Sequence, residues 1–331
     1  MRFTAAAVAC SVVGLGLAAQ TPKASFEDFL AGLRTEAAAK GISQATIDAA
    51  LANVEQLPVA VERDRTQPEM VVSLDTYVSR QLTKKVLTRA RSVADDNTAL
   101  LKRVEARYGV PAEVIVAVWG VESNFGAFTG TRATVPALAT LAYDGRRALF
   151  RNELFDALRF VDAGHITVDQ LKGSWAGAMG QPQFMPSSYL KYAVDFDDDG
   201  KADIWTNTAD VFGSIGNYLK EFGWTNDTRW GREVKLTRAA RTKIDHSVPM
   251  RTGTCRAERD MTAARTLADW AKLGVTLPNG SKLPKADLKA SLVRGDKRAF
   301  LVYANYDAIL GYNCSNSYAV TVGLLADSVS R

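Results

Sequence analysis

Residues 111–126 read PAEVIVAVWGVESNFG, the most continuously apolar helical pattern after the N-terminal segment. Pro111 suits the first turn of a helix, because a proline has no N–H group to leave unpaired there. The side chains from Val114 to Val121 are apolar or small on almost every side of the predicted helix, and such a helix is stable when other elements enclose it. The sequence therefore predicts a buried central helix that ends at a carboxylate, Glu122, in a short polar turn.

Helical patterns fill most of the chain before residue 225. The intervening residues 58–68 contain two prolines and mixed charges, so we expect a connector there. Apolar side chains recur with the spacing of a helix in residues 25–54, 70–87, 97–108, 152–163 and 209–222.

The pattern changes after residue 225. Residues 234–238 alternate with the period of a strand, residues 300–303 form a second apolar strand pattern, and residues 317–329 predict a closing helix. The predicted class is mainly α (α+β). It has a helical body, a smaller β-containing subdomain and a helical tail that packs back on the body.

The composition argues against several classes of protein. The chain is 47% hydrophobic and 23% charged, a globular composition with material for a large core. Its two histidines and three cysteines are scattered along the chain, which does not match a structural zinc site with four closely spaced ligands. The net charge of +5 is spread along the chain without a basic stripe, so no nucleic-acid partner is expected.

The N-terminus has the pattern of a secretory signal peptide. Arg2 is followed by an apolar run from Ala5 to Ala18, which ends in small residues and is too short to span a membrane. We therefore expect export with residues 1–19 removed, and an uncleaved membrane anchor is the alternative. Cys10 lies in the middle of the apolar run, so a lipid anchor on it would leave too short a leader.

Without residues 1–19, the remaining cysteines are Cys255 and Cys314. An even pair in an exported chain favours one disulfide, and two buried thiols are the alternative. A bond between them would close a loop of about 60 residues, worth at most about 4 kcal/mol in loop entropy.

Glu122 is the strongest candidate for a catalytic group. It follows an almost wholly apolar helix, and desolvation raises the pKa of a carboxyl group, which favours a protonated side chain that acts as a general acid. The alternative is a solvated cap or an ion-pair partner, the more common role of a glutamate at a helix end. The Ser, Asn and Gly residues that follow favour a tight polar turn over a plain exposed face.

Residues 173–189, GSWAGAMGQPQFMPSSY, combine small residues, amides, hydroxyls and aromatic rings. Small residues let another chain approach the backbone closely. Hydrogen-bonding groups beside aromatic faces are what a neutral sugar ring requires. This segment therefore predicts part of a sugar-binding cleft, and a simple glycine-rich loop is the alternative.

Residues 195–203, DFDDDGKAD, match the first half of a calcium-binding loop, with carboxylates at positions 1, 3, 5 and 9 and glycine at position 6. Position 12 is Thr206 instead of the usual glutamate, and Asp210 is the candidate replacement. A solvated acidic turn is the alternative. The predicted ligands of this structural Ca2+ are Asp195, Asp197, Asp199, Lys201 and Asp210.

Taken together, these motifs resemble the lytic murein transglycosylase B family. The resemblance covers essentially the whole chain after the signal peptide and is most specific in residues 173–189. The other motifs that carry it are residues 119–126, 193–196, 217–219, 223–224, 312–315 and 318–319.

The resemblance implies a lysozyme-like helical catalytic core. It implies cleavage of the β-1,4 bond between N-acetylmuramic acid and N-acetylglucosamine of peptidoglycan, without water, to leave a 1,6-anhydro sugar end. No cofactor is needed for catalysis. The implied divisions are a signal peptide at 1–19, an N-terminal helical region at 20–100, the catalytic core with the calcium-type loop at 101–225, a small mixed α/β subdomain at 226–305, and a C-terminal segment at 306–331 whose helix returns to the cleft.

Matching the family motifs residue by residue implies the roles of the site residues. Glu122 matches the single catalytic acid and base. Arg146 and Arg147 match an arginine pair near the glycan and its peptide stem. The other substrate-binding matches are Ser174, Gln183, Tyr77, Tyr218, Tyr312, Asn313 and Tyr318.

One carboxylate suffices for this reaction because the nucleophile is the substrate's own C6 hydroxyl, whereas ordinary glycosidases need two carboxylates. A hydrolytic muramidase would need a second carboxylate, for which Asp144 is the nearby candidate. A non-catalytic peptidoglycan-binding protein is the other alternative. We expect a periplasmic monomer whose partner is the glycan strand of peptidoglycan.

Overall fold

The computed structural model of the protein describes residues 24–66, 71–145 and 148–330, most of which lie in helices. The helices of these residues are α1 (Phe26–Ala39), α2 (Gln44–Leu51), α3 (Pro58–Arg65), α4 (Leu74–Gln81), α5 (Lys84–Asp96), α6 (Thr98–Tyr108), α7 (Ala112–Ser123), α8 (Thr134–Asp144), α9 (Leu149–Asp162), α10 (Pro186–Tyr192), α11 (Thr208–Glu221), α12 (Arg238–Ser247), α13 (Arg256–Arg259), α14 (Leu267–Lys272), α15 (Ala304–Tyr312) and α16 (Asn316–Val329). The strands are β1 (Arg132–Ala133), β2 (Lys172–Gly173), β3 (Gly231–Val234), β4 (Arg265–Thr266), β5 (Lys289–Arg294) and β6 (Ala299–Val302).

Helix α7 lies at the centre of the helical body. Its residues from Val114 to Trp119 are all buried, and Val116 and Val118 have no exposed surface. Helices α5, α6, α11 and α16 pack against it and share one apolar core with it. The structure therefore confirms the buried central helix that the sequence predicts.

The glycine-rich segment after β2 is fastened to the body by backbone pairing. β2 pairs antiparallel with β1, with Arg132 opposite Gly173, and Met179 pairs with both Gly173 and Phe184. The backbones approach so closely that a Cβ atom on Gly130 would lie 2.0 Å from the carbonyl carbon of Gly173. Only glycine fits at such a crossing.

The smaller lobe contains a four-stranded antiparallel sheet in the order β3-β6-β5-β4, with its own apolar core. The strand predicted at residues 300–303 corresponds to β6, shifted by one residue. The strand predicted at residues 234–238 is confirmed only at its start, because β3 ends at Val234 and Lys235 forms a single bridge with Thr276. The hydroxyl of Thr237 accepts a hydrogen bond from the N–H of Ala240 and so begins α12. This capping bond outweighs the local alternation.

The connector predicted for residues 58–68 is instead helix α3 over most of its length. Pro58 occupies the first position of the helix, where a proline is tolerated. The N–H of Leu57 donates to the hydroxyl of Thr140 in α8 at 2.9 Å, and α3 packs on α8. Tertiary packing therefore makes a helix where the local pattern predicts none; residues 67–70 lie outside the described chain.

Two long helical patterns are each divided by a capping residue. The hydroxyl of Ser43 accepts from the N–H of Thr46 at the start of α2, and the hydroxyl of Thr83 accepts from the N–H of Val86 at the start of α5. A side-chain oxygen satisfies an otherwise unpaired N–H at each start. The sequence predicts the first break, because a new helical pattern begins at Ser43, and the structure confirms it. The apolar spacing in residues 70–87 continues across the second break, so it predicts one helix where there are two.

Cys255 and Cys314 form a disulfide, with their Cα atoms 5.9 Å apart. The bond ties the start of α13 to the segment between α15 and α16, two residues after Tyr312. It confirms the disulfide predicted from the even cysteine count.

The predicted signal peptide, residues 1–19 with Cys10, lies outside the described residues. Within the described chain, no helix combines the length and the apolar character that a membrane span requires. The signal peptide and its cleavage stay predictions.

Candidate active site

Glu122 is the second-last residue of α7 and is half-buried where the apolar helix ends. The chain turns sharply behind it, since Asn124 and Phe125 have φ values of 50° and 58°. These left-handed conformations cost energy for residues other than glycine and are common at functional sites. Ser123 holds the turn, because its hydroxyl donates to the carbonyl of Trp119 at 3.0 Å. The turn therefore fixes where the helix presents Glu122.

Glu122 lines a groove of about 640 Å³, a volume typical of small-molecule sites. Ser174, Gln183, Tyr312 and Asn313 line the same groove. They come from the segment after β2 and from the end of α15, which lie far from Glu122 in the sequence. The fold thus brings five of the predicted site residues to one cavity.

One side of this groove is formed by residues 173–185, which we call the glycine-rich wall. The Oγ atom of Ser174 accepts two backbone N–H groups of its own turn, at 3.3 and 3.1 Å. The side-chain nitrogen of Gln183 donates to the carbonyl of Gly180 at 2.8 Å. Because the wall's own backbone holds both polar side chains, their positions are set before a ligand binds.

Gln181 anchors the glycine-rich wall to the body, a role that sequence reasoning missed. Its Oε1 atom accepts from the ring N–H of Trp119 at 2.8 Å, and its Nε2 atom donates to the carbonyl of Trp205 at 2.8 Å. The buried amide thereby joins α7, the wall and residues 195–210, which we call the acidic loop. The available signal was an amide between a glycine and a proline, since a buried amide needs a partner for each polar atom.

Three of the predicted tyrosines pack together beside the groove. The hydroxyl of Tyr312 donates to the carbonyl of Pro182 at 2.7 Å, and the hydroxyl of Tyr218 donates to the carbonyl of Gly311 at 2.8 Å. The ring of Tyr312 lies 4.5 Å from that of Tyr218 and 6.5 Å from that of Tyr318. These contacts fix the α15–α16 segment against the glycine-rich wall.

The hydroxyl of Tyr318 is the exception in this cluster. It is buried, donates to no carbonyl group of the described chain and interacts instead with the Glu122 carboxylate. Burial raises the pKa of Tyr318 well above its ordinary value, and the nearby Glu122 carboxylate raises it further. The nearby Tyr77, buried in α4, also raises the pKa of Tyr318. Burial and then Glu122 likewise raise the pKa of Tyr312, so both hydroxyls stay neutral.

Several groove residues carry no signal in the sequence. Glu62 and Arg63 of α3 line the groove, as do Leu149 and Phe150 of α9. Glu62 is an exposed carboxylate in a segment that the sequence predicts as a connector. Its place in the groove depends on how α3 packs, which local spacing does not encode.

Asp144, the candidate second carboxylate, ends α8 and pairs with Arg65 at 3.2 Å. It is absent from the described lining of the groove that contains Glu122. Arg146 and Arg147 lie outside the described residues, so their match to an arginine pair stays a prediction.

The acidic loop brings three carboxylates together. Single oxygens of Asp195, Asp197 and Asp210 all lie within 4.8 Å of one another. Ca2+ binds oxygens at about 2.3–2.6 Å, so two ligands across one ion are up to about 5 Å apart, and the three groups fit. Each oxygen of Asp210 accepts one backbone N–H, from Phe196 and Asp203, at 2.7 Å. Burial raises the pKa of Asp210, and the two neighbouring carboxylates add to this.

Asp199 lies outside this cluster of side chains. Its Oδ1 atom accepts the N–H of Lys201 at 2.9 Å and closes the tip of the loop instead. Thr206, at position 12, donates its hydroxyl to Asp203. Asp210 therefore lies beside Asp195 and Asp197, as a replacement for position 12 requires, and the ligand roles of all five predicted residues stay predictions.

The fold and the groove define the class of protein. It is a lysozyme-like, mainly helical protein in which a half-buried carboxylate lies among hydroxyl, amide and aromatic groups that suit a neutral sugar. The chain belongs to the Transglycosylase SLT domain family, which matches residues 25–327.

Known relatives agree with this assignment. Membrane-bound lytic murein transglycosylase B of Escherichia coli K12 is 45% identical over 126 residues, 38% of this chain and 35% of that protein. The match thus spans little more than a third of that relative's length. SltB3 from Pseudomonas aeruginosa, solved in complex with NAG-anhNAM-pentapeptide, has a TM-score of 0.80 and 38% identity, covering 92% of this chain and 80% of that one. The Escherichia coli lytic transglycosylase Slt35, solved in complex with calcium, has a TM-score of 0.73 and 28% identity, covering 95% of each chain.

Proposed function

We propose that the protein is a peptidoglycan lytic transglycosylase. It cleaves the β-1,4 bond between N-acetylmuramic acid and N-acetylglucosamine without adding water and leaves a 1,6-anhydro end. The observation that carries the proposal is the groove in which Glu122 meets Ser174, Gln183, Tyr312 and Asn313. Family membership over residues 25–327 supports it.

Glu122 acts twice in the proposed reaction. As an acid it protonates the oxygen of the leaving sugar, and the bond from that oxygen to C1 breaks. As a carboxylate it then accepts the proton of the C6 hydroxyl, which attacks C1 of the same sugar. Proton and charge balance without a second carboxylate, because the nucleophile is intramolecular and already close to C1.

The walls of the groove hold the sugar in the reactive position. Ser174, Gln183 and Asn313 offer hydroxyl and amide groups, and Tyr312 offers a ring edge beside them. Tyr77, Tyr218 and Tyr318 support this surface, and Arg146 and Arg147 contact the glycan or its peptide stem. Neutral groups suit a neutral sugar, since no charge has to be desolvated on binding.

The composition of the products tests the reaction. Purified peptidoglycan is digested with the protein and the fragments are weighed by mass spectrometry. Fragments lighter by one water than hydrolytic muropeptides are expected. Fragments that carry the mass of added water would overturn the proposal, and an unchanged glycan with retained binding would identify a non-catalytic protein.

A hydrolytic muramidase is the second candidate, because Glu62 places a second carboxylate on the groove. Inverting and retaining hydrolases both need such a pair. Glu62→Gln distinguishes the two functions. Anhydro products formed at a rate within about threefold of the unchanged protein are expected, since an exposed rim residue has no part in the intramolecular reaction. A loss of about a hundredfold would favour hydrolysis.

We also propose that the acidic loop binds one structural Ca2+ through Asp195, Asp197 and Asp210. Oxygen ligands at the observed spacing support this ion, as does the calcium complex of Slt35. Asp199 and the Lys201 carbonyl complete the proposed ligand set. The ion has no part in the reaction and stabilises the loop on which Gln181 rests.

We further propose an exported, periplasmic monomer with residues 1–19 removed and no lipid on Cys10. The proposed divisions are those expected from the sequence, with residues 101–225 as the catalytic core and residues 306–331 returning to the cleft. Mass spectrometry of the mature protein would test the cleavage, which is expected after Ala18 or Ala19.

A further inference from the structure

A second cavity lies on the other side of Glu122. Its lining includes Glu122, Asn124 and Phe128 from the turn after α7, together with Val86 from α5. Apart from Glu122, it shares no described lining residue with the groove beside the glycine-rich wall. Glu122 therefore lies between two concave surfaces, as expected of a group that cleaves a bond between two bound sugars.

The second cavity continues into a third, larger one on the surface of α5. Val86 and Asn124 line both cavities. The strained left-handed pair Asn124 and Phe125 forms the boundary between them. Phe128 is 51% exposed, an apolar ring at the edge of the path rather than in the core. A continuous surface thus runs from Glu122 along the turn to α5.

The far end of this surface is positively charged. Lys84, Lys85 and Arg89 line the third cavity, and no carboxylate is among its described lining residues. Lys85, Arg89 and Ser92 are spaced i, i+4 and i+7, which places them on one face of α5. We call the surface formed by Lys84, Lys85 and Arg89 the cationic wall.

The cations of the cationic wall do not stabilise the fold of the described chain through ion pairs. No ion pair within residues 24–66, 71–145 and 148–330 involves Lys84, Lys85 or Arg89. All three side chains are exposed. By contrast, Arg91 on the same helix donates to the carbonyl of Ser328 and so has a structural contact. Three cations on one concave face, without an acidic neighbour in its lining, complement an anionic ligand.

We propose that the cationic wall binds the carboxylates of a peptide stem carried by the glycan strand, on the side of Glu122 opposite the glycine-rich wall. This inference rests on the proposed function, which places a peptide-bearing glycan in the groove. The neutral sugar contacts Asn124 and Phe128, and the stem lies along α5 with its carboxylates at Lys84, Lys85 and Arg89. The site therefore selects strands that still carry their stems.

The test compares kcat/KM for peptide-bearing glycan strands with kcat/KM for strands from which an amidase has removed the stems. The double variant Lys85→Ala/Arg89→Ala is expected to lower the ratio of the two values about threefold to tenfold, because exposed charge pairs are individually weak. The control Lys282→Ala/Lys285→Ala removes two exposed cations of the smaller lobe that line none of the three cavities. It is expected to leave the ratio as it is.

Salt gives an independent readout. At 1 M salt, where screening acts within about 3 Å, the ratio of the unchanged protein should fall to that of the double variant. A ratio that is the same in the unchanged protein, the double variant and the control would overturn the proposal. So would a double variant that loses activity equally on both substrates, since that result indicates a structural role.

The outcome for the cationic wall can be separated from the outcome for the proposed function. If the unchanged protein cleaves neither substrate, the proposed function fails, and the wall is tested by the Kd of peptide-bearing and stripped fragments. A Kd ratio that the double variant lowers still supports the wall. An equal Kd for both fragments overturns it.

Discussion

The two walls beside Glu122 hold their polar groups in opposite ways. In the glycine-rich wall, the side chains of Ser174 and Gln183 are bonded to the wall's own backbone. In the cationic wall, Lys85 and Arg89 project from a helix surface and have no ion pair within the described chain. The first wall is a preformed shape, whereas the second acts through charge. Changes of shape should therefore be costly in the first wall, and changes of charge mild in the second.

The largest expected effect removes the chemistry and keeps both walls. Glu122→Gln should lower the rate of lysis about a thousandfold, because the amide does not donate a proton to the leaving oxygen. Binding of glycan fragments should stay within about threefold, since neither wall depends on the charge. Turbidity of purified cell walls measures the rate, and fluorescence anisotropy measures the binding.

The matched control is Glu113→Gln, which changes a carboxylate in the first turn of the same helix, where it accepts a hydrogen bond from Ser330. Its rate of lysis should be close to that of the unchanged protein. Equal losses of rate in both variants would mean that a disturbed helix, and not the loss of the Glu122 carboxyl group, lowers the rate of lysis.

The second prediction tests the rigidity of the glycine-rich wall. Gly130→Ala should lower the free energy of unfolding by about 3 kcal/mol, because φ is +88° and the new Cβ would meet the Gly173 backbone at 2.0 Å. Gly164→Ala has a similar φ of +76° but nothing within 4 Å of the new atom, so about 1 kcal/mol is expected. Urea denaturation measures the difference. Equal losses would show that the backbones at this crossing can move apart.

The third prediction concerns the support beneath the same wall. Carbonyl groups of the acidic loop accept hydrogen bonds from Gln181. Calcium at 100 times its Kd should therefore stabilise the protein by about 2.7 kcal/mol and raise Tm by about 5 °C. It should slow amide exchange in residues 173–185 more than in α5.

Asp210→Asn should abolish the calcium-dependent rise in Tm, because Asp210 belongs to the three-carboxylate cluster. Asp198→Asn is the control, since it removes an exposed acid of the same loop that is outside the cluster. A rise in Tm that survives in both variants would place the ion elsewhere.

The smallest effects separate two tyrosines of one cluster. Tyr312→Phe removes a hydroxyl that donates to Pro182 and should cost about 1 kcal/mol of stability. Tyr318→Phe removes a buried hydroxyl whose interaction is with the Glu122 carboxylate and not with a carbonyl group, so stability should fall by less than in Tyr312→Phe. Because the Tyr318 hydroxyl faces Glu122, its loss should lower kcat instead. Thermal denaturation measures the stability of the two variants, and initial rates measure their kcat. Identical changes in both variants would contradict the prediction.

The sequence predicts the parts of the site that depend on composition. A helix that is apolar on almost every side must be buried. Residues 111–126 therefore predict both the central helix and the position of Glu122 at its end. Small residues at a backbone crossing predict close approach, as seen between Gly130 and Gly173. Motif matching then suggests Ser174 and Tyr312, which share the groove.

The features that the sequence does not predict depend on contacts between segments that are distant in the chain. Helix α3, and with it Glu62, takes its place because Leu57 bonds to Thr140 across the fold. The local spacing of apolar side chains does not predict such a bond. The strand predicted at 234–238 ends early for the converse reason, since the capping bond of Thr237 overrides the alternation that follows Lys235.

The disulfide makes a covalent ring of residues 255–314. Three of the four strands of the smaller lobe's sheet and the helix that ends at Tyr312 lie within this ring, and α16 follows directly after it. A protease that cuts the coil at residues 278–287 would therefore leave two pieces that stay joined. The piece carrying Tyr312 and Tyr318 would still be attached to the helical body, and the nick would become visible only on a reducing gel. The ring would therefore keep Tyr312 and Tyr318 connected to the body after such a cut.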